Sequence, residues 1–311
     1  MSTTNKYAIH SDFEKVPVIN IKFSRPVIGL LNLLLKATRL RKKPTPGVTT
    51  TSYTAKGNGG HAIKLIVAVP DDIKPAAPAL VYYHGGAFAM TYSSMHLENA
   101  ERYAREAGCI SVFVCYRLAM KNPFPASFDD AYTAVNWVVD NAAKLGIDTS
   151  HIAVGGDSAG GALAAGVAQK CRDTGLVKLC GQLLIYPVMD YRCSTPSAIE
   201  FVDTPLFNAV SNQRMWQMYL RGSSTESPPA YAAPGLGSAE NLPPAYIETA
   251  EFDPLRDEGL NFAKALRASG NEPTMNETLG TIHGYDGTAH NKTAIESMQK
   301  RIDFLRSVFA R

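Results

Sequence analysis

Gly156-Asp157-Ser158-Ala159-Gly160 follows directly on the apolar run Ile152-Ala153-Val154 and leads into an Ala-rich stretch, residues 162–168. The run reads as a buried strand and the stretch as a helix, so a serine stands on a sharp strand-to-helix turn. Such a turn crowds its neighbours, and only glycine at both ends leaves room for the helix to approach the sheet. The turn lifts the Ser158 hydroxyl out of the sheet and aims the positive end of a helix at any negative charge that develops there. G-x-S-x-G also arises by chance in Gly/Ala-rich loops, so the rest of the chain must supply the other parts a reactive serine needs.

Three further segments do so. His84-Gly85-Gly86-Ala87-Phe88 follows the strand-like run Ala79-Leu80-Val81-Tyr82-Tyr83, where a loop of backbone N–H donors for an oxyanion is expected. Asp253 follows the run 245–249, and His283 follows the run 274–279 and opens the Gly-flanked loop His283-Gly284-Tyr285. The chain order Ser, Asp, His is that of α/β-hydrolases. A neutral serine hydroxyl is a poor nucleophile until a base stands within hydrogen-bond reach and a third group orients the base. Ser158, His283 and Asp253 are the candidates for those three roles. The backbone N–H groups of Gly85, Gly86 and Ala159 are the candidate oxyanion donors.

Alternatives exist at each position. His290 could replace His283, and Asp257 or Glu251 could replace Asp253. Asp257 also suits the first turn of the next helix, where an acidic side chain complements the dipole. His84 reads as structural, holding its own loop. Arg117 and Asp129 stand next to apolar runs and read as a buried pair. Gly85-Gly86 lacks the Lys-Ser/Thr of a phosphate loop, and no His/Cys spacing suggests a metal site. No cofactor is expected.

With these segments in place, the chain resembles the hormone-sensitive-lipase-like branch of the α/β-hydrolases, which includes bacterial family IV carboxylesterases and arylacetamide deacetylases. The resemblance runs from about Val48 to the C-terminus. It rests on the His-Gly-Gly loop, Tyr116-Arg117-Leu118-Ala119 followed by Pro123-Phe124-Pro125-Ala126, the serine motif with Gly161, and Tyr186-Pro187. It continues in Leu242-Pro243-Pro244-Ala245, the stretch from Asp253-Pro254-Leu255-Arg256 to Gly259, and Ile282-His283-Gly284-Tyr285. Ala87 stands where the family has a third glycine, Met120-Lys121 replaces its Pro-Glu, Cys115 its Asp, and Ala162 stands where Asn is common. The resemblance implies an ester hydrolase with a mostly parallel eight-stranded sheet flanked by helices and a helical cap. An amidase or deacetylase would use the same acyl-enzyme chemistry. A ligand-binding receptor on the same fold would have lost the histidine, which is present here.

The pattern along the chain fits that fold. Strand-like runs at 48–54, 62–69, 79–83, 109–116, 152–155, 179–185, 245–249 and 275–279 alternate with helical patterns. Apolar residues from Leu97 to Ala107 and from Ala131 to Leu145 recur at helical spacing, each set closed by a glycine. Residues 1–46 read differently. Their apolar run 27–35 is followed by Lys36, Arg39, Arg41, Lys42 and Lys43, then stopped by Pro44 and Pro46. The family resemblance makes this the N-terminal part of the cap, with residues 47–311 the catalytic domain and about 190–222 a second cap insertion. An interfacial membrane helix and an oligomer contact are the other readings. Phe88, Leu206, Met215, Tyr219 and Tyr285 are the candidate substrate-pocket residues; for Met215 and Tyr219 the plainer reading is cap core.

A chain of 311 residues needs no disulfide or metal staple to hold a core. A net charge of +3 gives no reason to expect a nucleic-acid partner. Five cysteines without a C-x-x-C fit a reducing compartment. The N-terminus shows no secretory signal and no run approaches the roughly 20 apolar residues that span a bilayer. The expected setting is therefore a cytoplasmic monomer or homodimer acting on a small ester, without stable membrane insertion.

Overall fold

The computed structural model describes residues 6–223, 231–287 and 291–310. Its centre is an eight-stranded sheet, built from β1 (Val48–Lys56), β2 (Ala62–Pro70), β3 (Ala77–Tyr83), β4 (Ile110–Cys115), β5 (Ile147–Asp157), β6 (Leu179–Ile185), β7 (Ala245–Phe252) and β8 (Thr274–Ile282). The strand order is β1-β2-β4-β3-β5-β6-β7-β8. β2 pairs antiparallel with β1 and with β4, and every other pair is parallel. The central strands read as near-continuous apolar runs because helices cover both faces. Val81, Val154 and Leu184 are fully buried.

The long flanking helices are α1 (Arg25–Leu40), α2 (Ser94–Ala107), α3 (Ala126–Asp140), α5 (Ala159–Thr174), α7 (Ala209–Tyr219), α8 (Arg256–Ala268) and α9 (Lys292–Phe309); α4 (Ala142–Leu145) and α6 (Pro196–Glu200) are short. Gly108 and Gly146 close α2 and α4 in the left-handed conformation, as their positions predict. The single helix expected up to Leu145 is in fact two. Asn141 turns its side-chain amide back onto the Trp137 carbonyl, 2.9 Å away, and interrupts it. Arg117 pairs with Asp130, at 2.8 Å, and not with Asp129 as expected. One residue is about 100° around a helix, and it is Asp130 that faces inward, at 1% exposure.

Two remote segments are knitted together over the carboxyl ends of the strands. The Ile21 N–H donates to Ser211 Oγ at 3.0 Å, the Leu206 N–H to the Pro17 carbonyl at 3.0 Å, and the Tyr7 hydroxyl to Asp203 at 2.6 Å. The Asn32 side chain of α1 accepts from the Thr91 N–H at 2.7 Å, which ties that helix to the loop after β3. Behind the sheet, Arg301 of α9 is fully buried and binds both Glu248 of β7 and Asp286, the latter at 2.7 Å. Removing Arg301 would leave two buried carboxylates without a counter-charge, a cost of about 3–5 kcal/mol or more. The pairing therefore pins the loop after β8 to the body of the protein.

Candidate active site

Each candidate side chain sits where a strand ends: Ser158 after β5, Asp253 after β7 and His283 after β8. β5 delivers Ser158 with φ 55° and ψ −118°, a left-handed conformation costly for a residue with a Cβ. Backbone bonds hold it there. The Ser158 N–H donates to the Ile185 carbonyl at 2.8 Å, and its own carbonyl accepts from Val188 at 3.1 Å. The flanking glycines are sterically required. A Cβ on Gly160 would lie 2.0 Å from the Tyr83 carbonyl oxygen, and one on Gly156 would lie 2.4 Å from the Gly160 backbone.

Ser158 Oγ lies 2.9 Å from His283 Nε2, and His283 Nδ1 lies 2.7 Å from Asp253 Oδ2. Asp253 is completely buried, and its other oxygen accepts the Leu255 N–H at 2.9 Å. A carboxylate facing Nδ1 selects the Nδ1–H tautomer and leaves Nε2 as an acceptor for the serine proton. The other acids are engaged elsewhere. Asp257 accepts the Ser197 N–H at 2.7 Å and pairs with Arg256, while Glu251 accepts the Gly280 N–H at 2.6 Å. His290 lies outside the described residues.

The loop after β3 corrects one expectation. The Gly85 N–H does not face the serine: it donates to Asp157 Oδ2 at 3.0 Å, so close that a Cβ on Gly85 would meet that oxygen at 2.2 Å. The Tyr82 hydroxyl donates to the other Asp157 oxygen at 2.9 Å, and His96 Nε2 lies 3.5 Å from Oδ2. Burial opposes the charge on Asp157, but His96 and the Tyr82 hydroxyl outweigh it and hold its carboxyl below the usual range. The loop residues that line the cavity beside Ser158 are Gly86 and Ala87. Asp157, an unassigned position inside the serine motif, thus takes up the first glycine and leaves the cavity-facing part of the loop one residue later than the sequence suggests.

His84 anchors the same loop. Its Nδ1 faces the Gly85 carbonyl at 2.7 Å, and its ring stacks on Tyr116 at 4.3 Å. Burial, and then the neighbouring His96, push its pKa from 6.5 down to about 3. The folded protein keeps His84 neutral, whereas the unfolded chain takes up that proton near pH 6.5. Acid therefore favours unfolding, and stability is lost as pH falls from 6.5 to about 3. Over that window His84 contributes a slope of up to about 1.4 kcal/mol per pH unit. Guanidinium unfolding of the wild type and of His84→Phe at pH 7, 6 and 5 measures the difference. Parallel pH dependences would show that His84 is not the group responsible.

The serine opens into a cavity of about 290 Å³. Its walls are largely apolar: Ile19, Ile21 and Leu31 from the N-terminal segment, Met90 and Met95 from the region after the glycine loop, and Leu206 and Phe207 from the later insertion. Tyr186 and Asp286 also line it, with the Tyr186 hydroxyl donating to Asp286 at 2.6 Å and its ring standing edge-on to His283. Of the five expected pocket residues, Leu206 is on this wall. The other four are core. Phe88 has φ 57°, which turns its ring away to stack on Tyr219 at 3.7 Å, and Met215 is fully buried. The Tyr285 hydroxyl donates to Glu248 at 2.8 Å. Phe88 and Tyr285 are close in sequence to Gly86 and His283, but side chains close in sequence leave the backbone in different directions. Leu31 lies in the run assigned to the cap, but Ile19, Ile21 and Phe207 carry no local signal, because a cavity wall shared by two remote segments exists only after folding. Among the described residues no group of three or more His, Cys, Asp or Glu side chains is gathered for a metal ion.

The likeness to known proteins agrees with this construction. A family model for the alpha/beta hydrolase fold matches residues 80–287. Carboxylesterase NlhH of Mycobacterium tuberculosis is 40% identical over 261 residues, covering 79% of this chain and 80% of that protein. Among solved structures, the esterase LipW from Mycobacterium marinum superposes with a TM-score of 0.90 at 31% identity, covering 97% of this chain and 96% of that one. A bacterial heroin esterase superposes with a TM-score of 0.87 at 33% identity, covering 94% of each. The chain belongs to the α/β-hydrolase family, in its hormone-sensitive-lipase-like esterase branch, and is a carboxylic ester hydrolase.

Proposed function

We propose that the protein hydrolyses short- to medium-chain esters through an acyl-enzyme on Ser158. The observation that carries this reading is the unbroken hydrogen-bonded line from Ser158 through His283 to buried Asp253, at the wall of an apolar cavity. His283 Nε2 takes the hydroxyl proton as Ser158 Oγ attacks the ester carbonyl. The resulting oxyanion is held by backbone N–H groups of Gly86, Ala87 and Ala159. This replaces Gly85 with Ala87 as a donor, because the Gly85 N–H is spent on Asp157. His283 returns the proton to the leaving alkoxide, and the alcohol departs. A water then attacks the acyl group in the same way and frees the serine. Residues 1–46 and about 190–222 act as the cap, since both contribute to the cavity wall opposite the serine.

The acyl range follows from size. A cavity of about 290 Å³ is at the small end of ligand sites, which run from roughly 300 to 1,000 Å³. Aryl esters of increasing acyl length, each with its matched anilide, test both halves of the reading. The expected result is a maximum kcat/KM on short or medium acyl esters, with the anilides slower. A preference for anilides would make the protein an amidase instead, and a steady rise to long acyl chains would overturn the size argument.

A further inference from the structure

Helix α1 has two unlike faces. One is turned inward: Ile28 is buried at 2% exposure, and Leu31 lines the cavity beside Ser158. The opposite face carries Leu30, Leu33 and Leu34 at 60%, 64% and 57% exposure, with Leu40 beyond them. At 100° per residue these leucines share one arc, and Arg25 and Lys36 stand together on its edge. Arg41 and Lys43 follow the helix end. An exposed apolar face of this kind marks a contact surface.

Charge says what covers it. Residues 15–70 contain ten lysines and arginines and no aspartate or glutamate. A second copy docking through the same face would bring two such stretches together, because a two-fold contact apposes identical patches. A surface that is apolar within and negatively charged at its boundary fits both features. No helix among the described residues is long and apolar enough to cross a membrane, so α1 would meet such a surface by lying on it and not by spanning it.

We propose that α1 docks the enzyme on anionic lipid bilayers, with Leu30, Leu33 and Leu34 seated at the boundary of headgroups and acyl chains. Arg25, Lys36, Arg41 and Lys43 meet the lipid phosphates. Ile28 stands about 160° and Leu31 about 100° round the helix from Leu30, so the cavity wall lies within about one helix diameter, roughly 10 Å, of the lipid. Esters dissolved in the bilayer then reach the serine without crossing much water.

The test is co-sedimentation of the full-length protein with phosphatidylcholine vesicles, with and without one third phosphatidylglycerol. Binding to the anionic vesicles that weakens with added salt is the expected result. The triple variant Leu30→Ser, Leu33→Ser, Leu34→Ser should bind at least about tenfold more weakly while hydrolysing a water-soluble aryl acetate as well as the wild type. Should that variant fail to fold, Lys36→Glu with Lys43→Glu changes only exposed charge and should also weaken binding about tenfold or more. Failure of the wild type to sediment, sedimentation indifferent to salt and lipid charge, or a leucine-dependent dimer without vesicle binding would each overturn the proposal. The binding readout does not depend on hydrolysis, so it stands or falls separately from the assignment of the serine.

Discussion

Ser158→Ala is expected to lower kcat on a short-chain aryl ester by about 10⁶-fold, the loss seen where a serine hydrolase is deprived of its nucleophile. The change removes one oxygen and nothing that holds the turn. Ser158 keeps its place through backbone bonds to Ile185 and Val188, which alanine makes equally well. His283 stays fixed by Asp253 and by ring contacts with Tyr186 and Phe207. The variant should therefore unfold at the same temperature as the wild type and still bind substrate in the unchanged apolar cavity. Steady-state kinetics with a calorimetric scan check both parts. Turnover within tenfold of the wild type, from folded protein, would remove Ser158 from the mechanism.

How much of this was legible without coordinates depends on whether the signal is local. The turn that carries Ser158 was legible because its steric demand is written in five consecutive residues, Gly156 to Gly160. β6 matched its apolar run to the residue, since both faces of that strand are buried. β5 was read too short: it begins at Ile147, paired with Ala77 of β3, and then crosses the polar residues 148–150. Thr149 and Ser150 are exposed, and an apolar pattern has no physical cause there. Pairing partners suffered more. Arg117 finds Asp130 in place of Asp129, and Gly85 spends its N–H on Asp157. Both outcomes turn on which way one side chain or one N–H points, which residue type alone does not encode. The cavity was the least legible feature. Ile21 and Phe207 share a wall because the Ile21 N–H reaches Ser211, 190 residues away, and no periodicity in either segment announces that meeting.

Asp253→Asn should lower kcat about 10⁴-fold at neutral pH while leaving the fold intact. The two oxygens of Asp253 have separate partners: one accepts the Leu255 N–H, and the other faces His283 Nδ1. The substituted amide has one acceptor and one donor end. Its oxygen must take the Leu255 N–H, which leaves the NH₂ group facing Nδ1. His283 then holds its proton on Nε2 and presents a donor to Ser158 Oγ where a base is needed. The expected signature is a loss in kcat with little change in KM, because Asp253 does not itself line the cavity and reaches it only through His283. Asp257→Asn is the matched comparison. Its carboxylate serves the Ser197 N–H and Arg256 at the start of α8, so its loss should cost some stability and leave kcat within about threefold, as expected where no interaction specific to the transition state is removed. If Asp257→Asn proved the more damaging of the two, the orienting acid would have to be Asp257, reached through a rearrangement of the loop after β7.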